Sequence, residues 1–280
     1  MMNNSNTVPM RELLRNITTR LSEAGIGNAG GEAEMILMFL TGASRADLYM
    51  QEQAEPDRGR LEEILARRCR REPLQYILGE AYFMNLRLAV GPGVLIPRPE
   101  TEILVERVCR DAPRNGRICD VGTGSGAIAL SVAYERPDLE VVAVDVSTDA
   151  CRIAEANRAS LRLDRVRIIH SDLLDAVNGR FDVIAANLPY ITDEEYAKLQ
   201  PEVRGHEPAS ALTSGADGLD LIRRLIGEAP DHLSPHGLLI LEIGSGQGGA
   251  AAALMSPGFM DVEVIRDYNG LDRHVAGIRR

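Results

Sequence analysis

Between Met10 and about Gly79, apolar positions recur at three- and four-residue spacing, the period of a helix with one buried face. Met10, Leu13, Leu14, Ile17 and Leu21 form a first stripe, and Ala33, Ile36, Leu37 and Leu40 a second, after a break at Gly30-Gly31. Asp57 is placed to cap a third helix through Leu61, Ile64, Leu65 and Arg68. These stripes predict a small helical bundle. From Tyr82 to Pro97 the pattern changes: Phe83, Leu86, Leu88 and Val90 fit extended chain, and Gly91-Pro92-Gly93 marks a turn, so short strands or a hairpin are expected. From Thr101 onward, short apolar, largely β-branched runs (Ile118–Val121, Val141–Val144, Val166–Ile169, Phe181–Ala185 and Leu238–Ile243) mostly alternate with helical stretches such as Ala127–Glu135, Asp149–Ser160 and Gly218–Ala229. That alternation predicts an α/β domain with a mainly parallel sheet covered on both faces. Val262–Ile265 and His274–Ile278, joined through Asn269-Gly270, read as a closing hairpin and an antiparallel edge. The expected organisation is a helical domain over 1–80, a strand or hairpin linker over 81–100, and the α/β domain over 101–280.

Composition changes this picture little. The 280 residues are 45% hydrophobic and 26% charged, ordinary for a globular chain, and no run reaches the roughly 18 apolar residues of a membrane helix. Met1–Thr7 lacks the basic and apolar regions of a secretory signal and reads as a short flexible tail on a cytoplasmic protein. Cys69, Cys109, Cys119 and Cys151 lie far apart and read as structural thiols, and the five histidines show no ligand spacing, so no metal is expected. The net charge of −10 argues against duplex nucleic acid as the main substrate, because backbone-tracking proteins carry basic surfaces.

The first chemical motif is Ile118-Cys-Asp-Val-Gly-Thr-Gly-Ser-Gly-Ala-Ile-Ala-Leu130, a strand, a glycine-rich turn and a helix start. Gly122, Gly124 and Gly126, with Thr123 and Ser125 between them, remove side chains where backbone passes close to a ligand. Asp145 ends the next strand, where a carboxylate can accept both hydroxyls of a ribose. A nucleotide-like cofactor follows. The loop alone does not say which, since with Ala127 it also satisfies the dinucleotide fingerprint of a nicotinamide-dependent oxidoreductase.

The second motif, Asn187-Leu188-Pro189-Tyr190, follows the fourth parallel strand. It resembles the Asn/Asp-Pro-Pro-Tyr sequence of methyltransferases acting on planar NH₂-bearing nitrogens, with leucine in place of the first proline. An amide nitrogen is a poor nucleophile, because its lone pair is delocalised into the carbonyl. Asn187 Oδ1 and the Leu188 carbonyl can accept its two N–H bonds and steer it, while Tyr190 can stack on the flat group. Pro189 favours extended backbone at Leu188. The same pocket logic serves N6-adenine or ribosomal-RNA amino-group methyltransferases, which is the alternative reading.

Further stretches narrow the resemblance. Glu72-Pro-Leu-Gln-Tyr-Ile-Leu-Gly79, Gly91-Pro-Gly-Val-Leu-Ile-Pro-Arg-Pro-Glu-Thr-Glu102, Val144-Asp145, Ser171-Asp172 and Pro201-Glu-Val-Arg-Gly-His-Glu-Pro208 are similar, in order and spacing, to the HemK/PrmC type of protein-(glutamine-N5) methyltransferase. The resemblance implies a Rossmann-like class I methyltransferase sheet as catalytic domain behind the N-terminal helical, partner-binding domain. It implies S-adenosyl-L-methionine as cofactor, contacted by Gly122, Thr123, Gly124, Ser125, Gly126, Asp145, Asp172, Leu173 and Asn187. Leu173 stands where the family often has an aromatic. The implied substrate is the glutamine of the Gly-Gly-Gln loop in class I peptide chain release factors, received by Asn187, Leu188, Pro189 and Tyr190. Arg98 and Glu100 either shape the substrate entrance or pair structurally, and Arg67, Arg68, Arg70 and Arg71 form either a grip on an acidic partner or a solvated helix end.

Overall fold

A computed structural model of the chain describes residues 8–50, 53–54 and 56–280; the expected tail over Met1–Thr7 lies outside them. Backbone contacts divide the chain into two units, Met1–Gly79 with Pro201–His206, and Glu80–Gln200 with Glu207–Arg280.

In the first unit, the two-residue strands β1 (Val8–Pro9) and β2 (Gln53–Ala54) pair antiparallel, and helices α1 (Met10–Glu23), α2 (Ala29–Thr41), α3 (Arg45–Met50), α4 (Arg58–Cys69) and α5 (Leu74–Leu78) surround one apolar core. Met10, Ile17 and Leu21 of α1 meet Ala33, Ile36 and Leu37 of α2 and Leu61, Ile64 and Leu65 of α4 there, the faces their spacing predicts. Asp57 caps α4, its carboxylate accepting from Arg60 N at 3.0 Å. Gly30-Gly31 is no break: α2 runs through both from Ala29. A Cβ at Gly31 would lie 2.7 Å from Asn28 Nδ2, so this glycine gives the Asn28 side chain room at the helix start.

Three arginines of the cluster are paired inside this unit, while Arg70 is exposed. Arg68 is buried and bonds Glu32 at 2.6 and 3.0 Å and Glu202 at 3.1 Å, while Arg71 bonds Glu202 at 2.8 Å and Arg67 pairs with Glu72. Arg68 therefore belongs to neither expected reading, since Glu32, Glu202 and the Glu72 carbonyl, at 3.3 Å, hold it in the interior. It is the anchor that ties helix Pro201–His206 to the bundle core.

The second unit begins with the antiparallel hairpin β3 (Glu80–Phe83) and β4 (Leu86–Ala89), whose Phe83, Leu86 and Leu88 are buried in its core. The 3₁₀ turn Pro99–Thr101 leads into α6 (Glu102–Asp111). Then follow β5 (Arg117–Val121), α7 (Ala127–Glu135), β6 (Glu140–Asp145), α8 (Thr148–Ser160), β7 (Arg167–His170) and β8 (Phe181–Ala186). The short helices α9 (Asp193–Tyr196) and α10 (Pro201–His206, the segment of the first unit) precede α11 (Asp220–His232), β9 (Leu233–Glu242), α12 (Gly248–Met255), β10 (Phe259–Arg266) and β11 (Asp272–Arg279).

Seven strands form one sheet in the order β10-β11-β9-β8-β5-β6-β7. β7, β6, β5, β8 and β9 are parallel, and β11 and β10 close the edge as an antiparallel hairpin. Alternate residues feed opposite faces: Ile118, Val141, Val183 and Ile240 pack in one apolar layer, Cys119, Val142, Ile184 and Leu239 in the other. Both faces are thus covered, which is why the inner strands read as mainly apolar on consecutive positions rather than as an alternation. Strand order reverses between β5 and β8, so a crevice opens beyond their carboxyl ends.

Candidate active site

Four chain segments leave the carboxyl ends of β5, β6, β7 and β8, and all four line one cleft. Its empty space, open mouth included, is about 1030 Å³.

The glycine loop after β5 is held down by its neighbour strand: Gly122 N and Thr123 N both donate to Val144 O at 2.9 Å. Gly122 has φ +76°, and a Cβ there would stand 2.9 Å from Leu188 Cδ2. Glycine is needed at this point because the loop after β8 passes directly against it. Beneath the loop, the Asp120 carboxylate accepts from Thr123 Oγ1 at 2.6 Å and from Ala129 N at 3.1 Å. Burial pushes that carboxyl up to about 7.

Asp145 ends β6 at the cleft. Its two oxygens accept from Gly124 N at 2.9 Å and Ser147 N at 2.8 Å, and burial raises its pKa. Each carboxylate oxygen keeps acceptor capacity beyond its one backbone donor, which a vicinal diol can use. After β7, Asp172 and Leu173 also line the cleft; Leu173 is buried with φ +44°, while Asp172 is half exposed and pairs with Arg224 at 3.1 Å.

After β8, Asn187, Leu188 and Pro189 line the cleft, with Leu188 in the core and Asn187 half-buried. Asn187 Nδ2 donates to Thr101 Oγ1 at 3.0 Å, and Thr101 Oγ1 donates to Glu242 Oε2 at 2.6 Å. Tyr190 lies outside the lining. Its ring packs against the core, its hydroxyl donates to Glu242 Oε1 at 3.2 Å, and its carbonyl accepts from Gln247 Nε2 at 2.9 Å. Gly126 and Glu100 are likewise outside it, Gly126 at the start of α7 beneath the loop.

Arg98 does line the cleft, and its partner is Glu207 at 2.6 Å, a buried carboxylate that also accepts from Ile96 N at 3.1 Å. The pairing thus fixes the entry segment 96–98 to the chain just before Ser210 and Ala211, two further wall residues. Sequence alone assigns no role to Thr101, Ser147, Glu207, Glu242 or Gln247, although Thr101 and Glu207 fall within the family-like stretches 91–102 and 201–208. Glu242 had one visible mark, a carboxylate inside the apolar run Leu238–Ile243.

The family described as PrmC N-terminal domain matches residues 12–79, and that described as Methyltransferase small domain matches residues 99–202. The chain is 41% identical to the release factor glutamine methyltransferase of Geobacter sulfurreducens, over 92% of each chain. It is 42% identical to the protein of the same name from Neisseria gonorrhoeae, over 88% of this chain and 92% of that one. Among solved structures, a methyltransferase from Pyrococcus furiosus superposes with TM-score 0.52 at 21% identity, covering 68% of this chain and 87% of that one, a likeness of fold.

Proposed function

The chain belongs to the release factor glutamine methyltransferase family, and on that premise we propose that it transfers a methyl group from S-adenosyl-L-methionine to the side-chain amide nitrogen of a release-factor glutamine. The acceptor we assign is the glutamine of the Gly-Gly-Gln loop in class I peptide chain release factors. One observation carries this reading: the Asn187 carboxamide, its NH₂ committed to Thr101, stands in the same cleft as the glycine loop and Asp145. An amide tied by its nitrogen presents its oxygen on the other side, as an acceptor for N–H.

The residues present fit the cofactor. The Gly122–Gly124 backbone leaves the close approach that a nucleoside needs, Asp145 offers acceptors for ribose hydroxyls, and buried Leu173 offers an apolar surface for a base. When bound, S-adenosylmethionine supplies a methyl group on a positively charged sulfur. The protein's part is orientation. Asn187 Oδ1 and the Leu188 carbonyl accept the two N–H bonds of the incoming amide, fixing its plane and holding the nitrogen in one approach geometry. Pro189 restricts the Leu188 backbone that carries the second acceptor. The proton that the nitrogen sheds leaves to water. With net charge −10, recognition of a protein rather than of bare nucleic acid is the reading the electrostatics support.

The test is labelling with radioactive cofactor of a purified release factor, its loop Gln→Ala variant and bare ribosomal RNA, followed by peptide mapping. Label on the one glutamine is expected. Equal label on the Gln→Ala variant, or label on RNA alone, would remove the proposed acceptor.

A further inference from the structure

Asn187 can receive an amide only oxygen-first, yet its side chain has no such preference of its own. Rotation about its last torsion exchanges Oδ1 and Nδ2 with almost no change of shape. Something behind it must choose.

The two residues behind it leave a single choice. Glu242 is 1% exposed at the end of β9, and Thr101 is 4% exposed in the turn before α6, 141 residues away. An ionised carboxylate only accepts, so the Thr101 hydroxyl must give its one proton to Glu242 Oε2 at 2.6 Å. Toward Asn187 that hydroxyl can then only accept, and the partner it finds at 3.0 Å is Nδ2. Oδ1 is left for the cleft. Tyr190 holds the other end of the carboxylate, donating to Oε1 at 3.2 Å. We propose that Glu242 and Thr101 are positioning residues for methyl transfer, a directed hydrogen-bond chain that locks the Asn187 carboxamide with its oxygen toward the substrate amide. This rests on the reading of the cleft as a glutamine-methylating site.

The chain has a built-in polarity test. Burial, with the charge of Glu100 adding to it, lifts Glu242 to about 7 against the hydrogen bonds from Thr101 and Tyr190 and the charge of Arg273. Arg273 is itself paired with Asp267 at 3.1 Å. The remaining titratable neighbour, His274, is fully buried with Nε2 at 3.8 Å from Oε2, and burial lowers it to about 4, so it stays neutral. A protonated Glu242 has an O–H to give. When that proton sits on Oε2, Thr101 accepts from it and turns its own proton to Asn187, which then shows NH₂ to an NH₂. Donor would face donor, and turnover should rise with pH as Glu242 ionises.

The experiment measures kcat and KM for a release factor at saturating cofactor, from about pH 5.5 to about 9, where such a limb is resolved. Four proteins are compared: wild type, Thr101→Ser, Thr101→Val and Glu242→Gln. Wild type should show an acid limb in kcat near neutrality, and Thr101→Ser should keep it, with kcat within about threefold, since the hydroxyl is retained. Thr101→Val, nearly isosteric, should lose about tenfold in kcat, the worth of one buried hydrogen bond, with KM little changed and the limb gone. Glu242→Gln cannot titrate and should also lack the limb. Wild-type kcat in Thr101→Val, or an acid limb that persists unchanged in both Thr101→Val and Glu242→Gln, would overturn the relay while leaving the function standing. A wild-type enzyme that puts no methyl on the release factor would overturn the function and the relay with it.

Discussion

Gly122→Ala is the sharpest probe of how the two motif loops meet. Gly122 has φ +76°, where an L-residue is disfavoured by roughly 1–2 kcal/mol. The new methyl would also stand 2.9 Å from Leu188 Cδ2, a contact that real Cβ atoms do not make. Leu188 is 4% exposed and packed among core residues, so it cannot swing into solvent, and overpacking of such a site costs about 1–3 kcal/mol. The two costs add to about 2–5 kcal/mol. If the fold absorbs them, stability falls by that amount. If Leu188 yields instead, Asn187 moves with it, and under the proposed role of Asn187 in orienting the amide a misplacement of about 1 Å costs ~10²-fold in rate. Gly124→Ala is the matched control, since its φ is +57° but nothing lies within 4 Å of its Cβ, so it should pay only the backbone cost of roughly 1–2 kcal/mol. Urea unfolding of both variants, with single-turnover methyl transfer for Gly122→Ala, separates the outcomes. Should Gly122→Ala prove no less stable than Gly124→Ala and turn over at the wild-type rate, the contact between the two loops does not constrain either of them.

Asn187→Ala should reduce single-turnover methyl transfer by ~10²–10³-fold, the scale of losing one preorganised polar group, with a thermal midpoint close to wild type because Asn187 is only half-buried. Asp145→Asn sets an NH₂ against the Gly124 or Ser147 N–H that the carboxylate now receives, and calorimetry should find cofactor affinity down about tenfold or more. Arg68→Met leaves Glu32 and Glu202 without their shared partner, and urea unfolding should show a loss of up to about 3–5 kcal/mol. Asp120, raised by burial to about 7 from 3.8, is protonated in the folded state across that window while the unfolded chain has lost the proton. Its contribution to stability is therefore full at low pH and lost as pH rises through about 7, by up to ~1.4 kcal/mol per unit; the stability difference between wild type and Asp120→Asn, followed by unfolding at each pH, should fall with that sign.

What could be read from sequence was whatever one segment determines by itself. The parallel strands announce themselves because both faces are buried, so Val141–Val144 and Val183–Ala186 are apolar without alternation. The helices α1 and α4 are long enough to show a period, whereas α3 and α5, at 6 and 5 residues, are too short to show one. Gly30-Gly31 misleads because glycine is a breaker on average, while here it makes room for Asn28. The cleft's loops are legible for the same reason as the strands, each being a contiguous run after a strand end. Thr101 and Glu242 are not. Their meaning lies in a contact across 141 residues, and a lone threonine or a lone glutamate carries no local signature of it.

The substitution inside the acceptor motif shows how packing replaces a local constraint. Where the resembling motif has two prolines, this chain has Leu188 before Pro189. A proline at 188 would restrict the backbone through its ring. Leucine has no such ring, but its side chain is buried in the apolar cluster that also holds Val121, Val144, Leu173 and Ile243, at the point where Gly122 has no side chain. A leucine fixed in a close-packed core holds its backbone nearly as firmly as a ring does, because moving it opens a cavity on one side and a clash on the other. The absent side chain at Gly122 and the leucine at 188 are then two halves of one device, and neither tolerates change without the other. Gly122→Ala alone should therefore damage the acceptor loop, and shortening Leu188 in the same chain should relieve the clash, restoring part of the lost stability.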